Sequence, residues 1–110
     1  MSVEHKIYEM HAEQCKIFTS PKRLEIIDLL RTGEKSVNDL SAYIGIRQSN
    51  VSQHLAILRE KGVVAPRKEG NTTFYQITNS KILEACRLMR EVLLERLEEN
   101  SRIAETVKMR

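Results

Sequence analysis

Cys15 and Cys86 are the only thiols of the chain, and His5, His11 and His54 are its three imidazoles. His11 precedes Cys15 by one helical turn and so shares its face. With Cys86 as a third ligand, such a pair could make a partial zinc or copper site. Two thiols alone would suit soft metalloids, reactive sulfur or a disulfide. A disulfide requires Cα atoms about 4.4–6.8 Å apart. Plain packing competes with all of these, because free cysteine is commonly a small buried hydrophobe and both lie on or beside apolar stripes. The residue pattern leaves these alternatives open. His5 and Glu9 are also one turn apart, but two such groups on a terminal helix are weak grounds for a site. The sequence has no Gly-rich phosphate loop and no nucleophile with a base partner, so catalysis is not expected.

A second pattern occupies residues 47–62, RQSNVSQHLAILREKG. On a helix turning about 100° per residue, Val51, Leu55 and Leu58 fall together as a core stripe. Gln48, Ser49, Ser52, Gln53, Ala56 and Arg59 fall opposite, and Asn50 adds to the polar N-terminal turns. An ordinary solvent face carries Lys and Glu. This one carries short, uncharged donors and acceptors around a small Ala56. Such a face can lie close against a surface that displays donors and acceptors of its own, as the major groove of DNA does. Gln and Ser reach base edges and phosphates there, and free amides at a helix start favour phosphate. His54 sits at the edge of the core stripe, where packing or a phosphate contact fits it better than base reading. A solvated helix that happens to lack charge is the plain alternative. The elements around it decide between the two.

Ser20 with Pro21 signals a helix start, and Leu24, Ile26, Ile27 and Leu30 form its buried stripe before Gly33. Before it, Val3, Ile7, Met10, Gln14 and Ile17 have helical spacing over about residues 3–18. Ser36 with Asp39 has a capping-box pattern, and Val37, Leu40 and Ile44 make a short helix that Gly45 breaks. That helix, the turn and the polar helix have helix-turn-helix spacing over about 36–62. The period then changes. VVAPRKEGNTTFYQI reads as a hairpin over about 63–77, turning at Glu69-Gly70-Asn71, with Pro66 marking a short or edge first strand. Asn79 caps a last helix over about 80–100, with a stripe of Ile82, Cys86, Met89, Val92, Leu93 and Leu97.

The chain has 110 residues, the length of one domain. Charged residues make up 30% and apolar residues 41%, a surface-rich composition with a thin core that a dimer would help to cover. No apolar run reaches the ~18 residues of a membrane span. The N-terminus is polar and charged, unlike a signal peptide, and two distant cysteines suit a reducing cytoplasm. Net charge is +3. Residues 84–110 hold six basic and six acidic groups, whereas 47–73 hold five basic against two acidic. The excess therefore lies around the polar helix and the hairpin. These observations together point to double-stranded DNA. A winged-helix module that binds only protein would instead call for an apolar or acidic face and a neutral hairpin.

The run RLEIIDLL, SVNDLSAYIGI, NVSQHLAILREKGVV and KEGNTTFYQI resembles the ArsR-type metal- and stress-responsive winged-helix repressors. The likeness is close over about residues 18–78 and extends to the flanking helices by pattern. VS-x-HL-x-x-LR-x-x-G in this order is fairly specific. The resemblance implies a mostly α fold with a small β-hairpin, ordered α-α-α-α-β-β-α. It implies a homodimer built from the first and last helices, bound to a palindromic operator and released by an inducer. It maps Gln48, Ser49, Ser52, Gln53 and His54 onto the recognition-helix contacts, and Arg67, Lys68, Asn71 and Thr72 onto the wing. Arg47 departs from the Ser-like cap common there and is a candidate phosphate contact. The family's Cys-x-Cys site on the third helix is absent. So are its Asp-x-His…His-x-x-Glu site on the last helix and its paired-thiol type, in which Asp28 occupies the position of the cysteine. Cys15 and Cys86 remain as the candidate sensor, on the two helices that the resemblance assigns to the dimer.

Overall fold

The computed structural model describes residues 2–98 and 101–108. Five helices and the two hairpin strands follow one another as the sequence predicts, with one further short strand before α3: α1 (Val3–Cys15), α2 (Pro21–Leu29), β1 (Lys35–Ser36), α3 (Val37–Ile44), α4 (Gln48–Glu60), β2 (Val64–Glu69), β3 (Thr72–Ile77) and α5 (Ser80–Leu97). A further helix, α6 (Ser101–Lys108), continues past the expected end of the last one. Residues 99–100 of that expected helix lie outside the described residues.

Local chemistry sets the boundaries. The Ser20 hydroxyl accepts from the Arg23 amide at 3.3 Å and Pro21 takes the first turn of α2. The Ser36 hydroxyl accepts from the Asp39 amide at 3.0 Å to start α3. Gly45 ends α3 at φ 77°, a left-handed conformation that favours glycine. The Ser41 hydroxyl donates to the Ile46 carbonyl at 2.5 Å across the same turn, which fixes the entry into α4. At the far end of α4, the amides of Val63 and Gly62 donate back to the carbonyls of Leu58 and Arg59 at 2.8 and 2.9 Å. This paired closure at a glycine of φ 76° turns the chain sharply into β2.

One buried cluster holds these elements: Ile17, Ile26, Ile27, Leu30, Leu40, Val51, Leu55, Leu58, Val63 and Val64. The hairpin expected from sequence is part of a three-stranded antiparallel sheet in the order β1-β3-β2. Lys35 pairs with Tyr75 and Ser36 with Phe74. A two-residue strand carries no alternation, so no period announces it. Leu24 is not in the core stripe but 36% exposed, because α2 turns Ile26 and Ile27 inward instead. The first helix stops at Cys15, and Ile17 reaches the core from a separate 3₁₀ turn, Lys16–Thr19.

Neither α1 nor α5 contains a buried residue. Ile82, Leu83 and Cys86 pack against the core from the start of α5. Met89, Val92 and Leu93 of the expected stripe are exposed, as are Leu88 on α5 and Val3, Ile7, Tyr8 and Met10 on α1.

Because Leu55 is fully buried at the centre of α4, Leu55→Ala should destabilise the chain by about 2–5 kcal/mol. Urea unfolding would read this directly, and a loss below about 1 kcal/mol would mean that the α4 stripe does not organise the core.

Candidate nucleic-acid interface

The core stripe of α4 and its polar face separate as their spacing requires. Val51, Leu55 and Leu58 are each 0% exposed. Gln48, Ser49, Asn50, Ser52, Gln53, Ala56 and Arg59 are all exposed. Arg47 occupies the N-cap but its side chain caps nothing. Its carbonyl accepts from the Asn50 and Val51 amides at 3.0 and 3.1 Å. The amides of Gln48 and Ser49 are left uncapped beside the polar side chains, with the positive end of the helix dipole behind them.

The surrounding cations differ in availability. Arg47, Arg59 and Lys68 are exposed and form no ion pair among the described residues. Lys61 is tied to Glu13 of α1 at 3.2 Å. Arg67 departs from the expected role of a free wing cation. Its Nε and Nη2 donate to the two carboxylate oxygens of Glu34 at 3.0 and 2.5 Å, and its Nη1 donates to Glu69 at 2.9 Å. Its guanidinium also lies 4.9 Å from the centroid of the Phe74 ring. These bonds hold the Glu34 carboxyl below its ordinary pKa and raise that of Arg67. Lys68, Asn71 and Thr72 remain exposed at the wing, around the Gly70-Asn71 turn.

His54 is separate from the open face. It is half-buried, and its Nδ1 is enclosed without a hydrogen-bond partner among the described residues. Burial, with the Arg23 charge added to it, lowers the His54 pKa.

The thiols are both free, Cys15 exposed and Cys86 half-buried against the core. Burial pushes the Cys86 thiol up, and Asp28 adds to this while Arg90 opposes it. Among the described residues no three His, Cys, Asp or Glu side chains are grouped to hold a metal ion. His11, Cys15 and Cys86 are thus not gathered into a site within one chain. The long-range partners Glu34 and Glu13 gave no sequence signal, since each meets its cation across more than thirty positions.

The chain is similar to known regulators on this geometry. Residues 20–65 match the family model described as bacterial regulatory protein, arsR family. An uncharacterised HTH-type transcriptional regulator of Mycobacterium tuberculosis, Rv0081, is 36% identical over 103 residues, covering 93% of this chain and 90% of that one. The crystal structure of M. tuberculosis Rv0081 superposes with a TM-score of 0.78 at 37% identity, over 86% of this chain and 95% of that one. A homodimeric winged helix-turn-helix DNA-binding domain from Mycobacterium bovis, Mb0332, gives a TM-score of 0.79 at 28% identity, over 90% and 93% of the two chains. The transcriptional repressor BigR from Xylella fastidiosa gives 0.72 at 33% identity, over 84% and 96%. No helix among the described residues is long and apolar enough to cross a membrane.

The lowered pKa of His54 has a signed consequence. The folded chain binds this proton less tightly than the unfolded chain, so the contribution of neutral His54 is complete above its ordinary value of 6.5 and is lost as pH falls through the lowered one. Glu13, Glu34 and Glu84 are lowered from 4.5, so their contributions are lost only in more acid solution. Thermal melts should show Tm declining from about pH 7 to about pH 5, and His54→Gln should flatten that segment. An unchanged decline in the variant would remove His54 as its cause.

Proposed function

The chain belongs to the arsR family of bacterial regulatory proteins and is a DNA-binding transcriptional regulator, and from that premise we propose that it is a homodimeric repressor whose α4 reads a palindromic operator. The observation that carries this is the exposed, uncharged face of α4. Gln48, Ser49, Asn50, Ser52 and Gln53 lie beside uncapped first-turn amides, with unpaired Arg47 and Arg59 flanking them. The short neutral groups read base edges, and the cations hold phosphates. Lys68, Asn71 and Thr72 carry the wing contacts.

The dimer reading rests on α1 and α5. Tyr8 is 71% and Met89 68% exposed, and apolar neighbours surround both along each helix. A helix with no buried residue is only partly covered by its own chain, and a second copy offers the missing cover. Homodimeric Mb0332 supports this reading, and the repressor BigR supports a repressing role. Two α4 helices then serve half-sites one DNA turn apart, about 34–36 Å. An inducer that repacks α1 against α5 changes that spacing and releases the operator. Cys15 and Cys86 lie on these two helices and are the candidate positions for a thiol-directed or metalloid inducer.

Two experiments test the two halves. Ser52→Ala or Gln53→Ala should reduce discrimination between a selected operator and random DNA by roughly 1–3 kcal/mol. Arg47→Ala or Lys68→Ala should weaken both DNAs alike and flatten the salt dependence by about 0.9 in slope. If both classes of variant behave identically in anisotropy titrations, the division between reading and holding is wrong. For the dimer, Leu93→Glu should give monomers in sedimentation and lose operator affinity; a variant that stays dimeric would move the interface away from α5.

A further inference from the structure

Arg67 on β2 pairs directly with Phe74 on β3, and Phe74 pairs with Ser36 on β1. Residues directly opposite one another share a face of the sheet. The Arg67 side chain therefore runs from the outer strand across the ring of the middle one to reach Glu34, just before β1. Its Nε and Nη2 meet the two Glu34 oxygens in the bidentate geometry that fixes a guanidinium most firmly, while Nη1 is held by Glu69. One cation thus sits between two carboxylates, and the cluster carries a net negative charge. For Arg67 to hold a DNA phosphate, it would have to leave both carboxylates unpaired beside a polyanion.

We propose that Glu34 tunes the affinity of the wing for DNA: by holding Arg67 across the sheet it withdraws this cation from the phosphates and lowers the sequence-independent attraction of DNA to the wing. Glu34 acts through Arg67 and is a positioning residue. The wing's holding charge then falls to Lys68. Backbone attraction is common to every sequence. A cation removed from it lowers affinity for every sequence alike, so the base-edge contacts of α4 supply a larger share of the affinity that remains. The inference rests on the reading that α4 and the wing face DNA.

The test is a salt titration of anisotropy with a random-sequence duplex and with a duplex selected from a randomised pool by the unaltered protein. Glu34→Gln keeps the shape of the side chain and removes its charge. It should bind random DNA several-fold more tightly at about 0.1 M salt, with a salt slope steeper by about 0.9, the contribution of one added phosphate contact. The selected duplex should gain by the same factor, because the added contact is common to both sequences. Arg67→Ala alone should leave the slope as it is, and in the Glu34→Gln background it should return the slope to the original value. A slope unchanged or flattened by Glu34→Gln would overturn the proposal, as would an Arg67→Ala protein whose slope falls by about 0.9. If Glu34→Gln fails to fold in a thermal melt, the Arg67→Ala slope decides alone. Arg47→Ala and Lys68→Ala distinguish the two levels: slopes unmoved by either would mean that the DNA-facing reading itself has failed.

Discussion

The rest of the structure depends on α4 burying one stripe completely while leaving the opposite face bare. Val51, Leu55 and Leu58 meet Ile26, Ile27, Leu40 and Val63 in one cluster. Each such side chain contributes on the order of 1.5–3 kcal/mol on leaving water, so the rotation of α4 about its own axis is set by its core side. The open side needs no contact within the chain to keep its orientation. Its residues are free to be chosen for what they touch outside. This is why short, uncharged side chains are tolerated there, where a free-standing helix would want Glu–Lys pairs. The closures at Gly45 and Gly62 complete the constraint, because they fix where α4 begins and where its chain leaves for β2.

Charge has a similar division. The excess of basic residues between 47 and 73 is visible in the sequence, but it overstates the free positive charge. Lys61 is taken by Glu13 and Arg67 by Glu34 and Glu69. Of the five basic residues in that segment, Arg47 at the start of α4, Arg59 near its end and Lys68 on the wing form no ion pair among the described residues. These positions bracket the neutral face. The unpaired charge is therefore placed around the neutral face, where backbone phosphates would lie if base edges met its centre.

Local signals explain what the sequence made legible. Ser20, Ser36, Gly45, Gly62 and Asn79 act on backbone within a few positions, and each stands at the boundary its chemistry implied. The separation of the α4 faces was equally legible, since one helical period relates every residue involved. The exceptions are long-range. The strand Lys35–Ser36 exists only because β3 offers it an edge. Leu24 fits the apolar period of α2 yet lies outside the core, because the direction of the helix face depends on what packs against it. Arg67 looked like any wing cation until Glu34 was brought to it from the other side of the sheet. The open alternatives for Cys15, Cys86 and His11 had the same origin: spacing places residues on a face, but only packing decides what gathers there.

The way α1 joins the rest bears on how a change at a dimer interface would reach α4. Its helix carries no buried side chain, but the 3₁₀ turn directly after Cys15 sends Ile17 into the core cluster. Arg23 of α2 grips that turn, donating to the carbonyls of Ile17 and Lys16 at 3.2 and 3.0 Å. The same guanidinium is near enough to His54 to oppose its protonation. At the other end of α4, Glu13 holds Lys61, and the Gln14 amide donates to the Lys61 carbonyl at 3.4 Å. The exposed Glu13–Lys61 pair yields readily to salt, whereas Ile17 cannot move without disturbing close-packed neighbours. A displacement of α1 is therefore carried to α4 mainly through Ile17 and the turn held by Arg23.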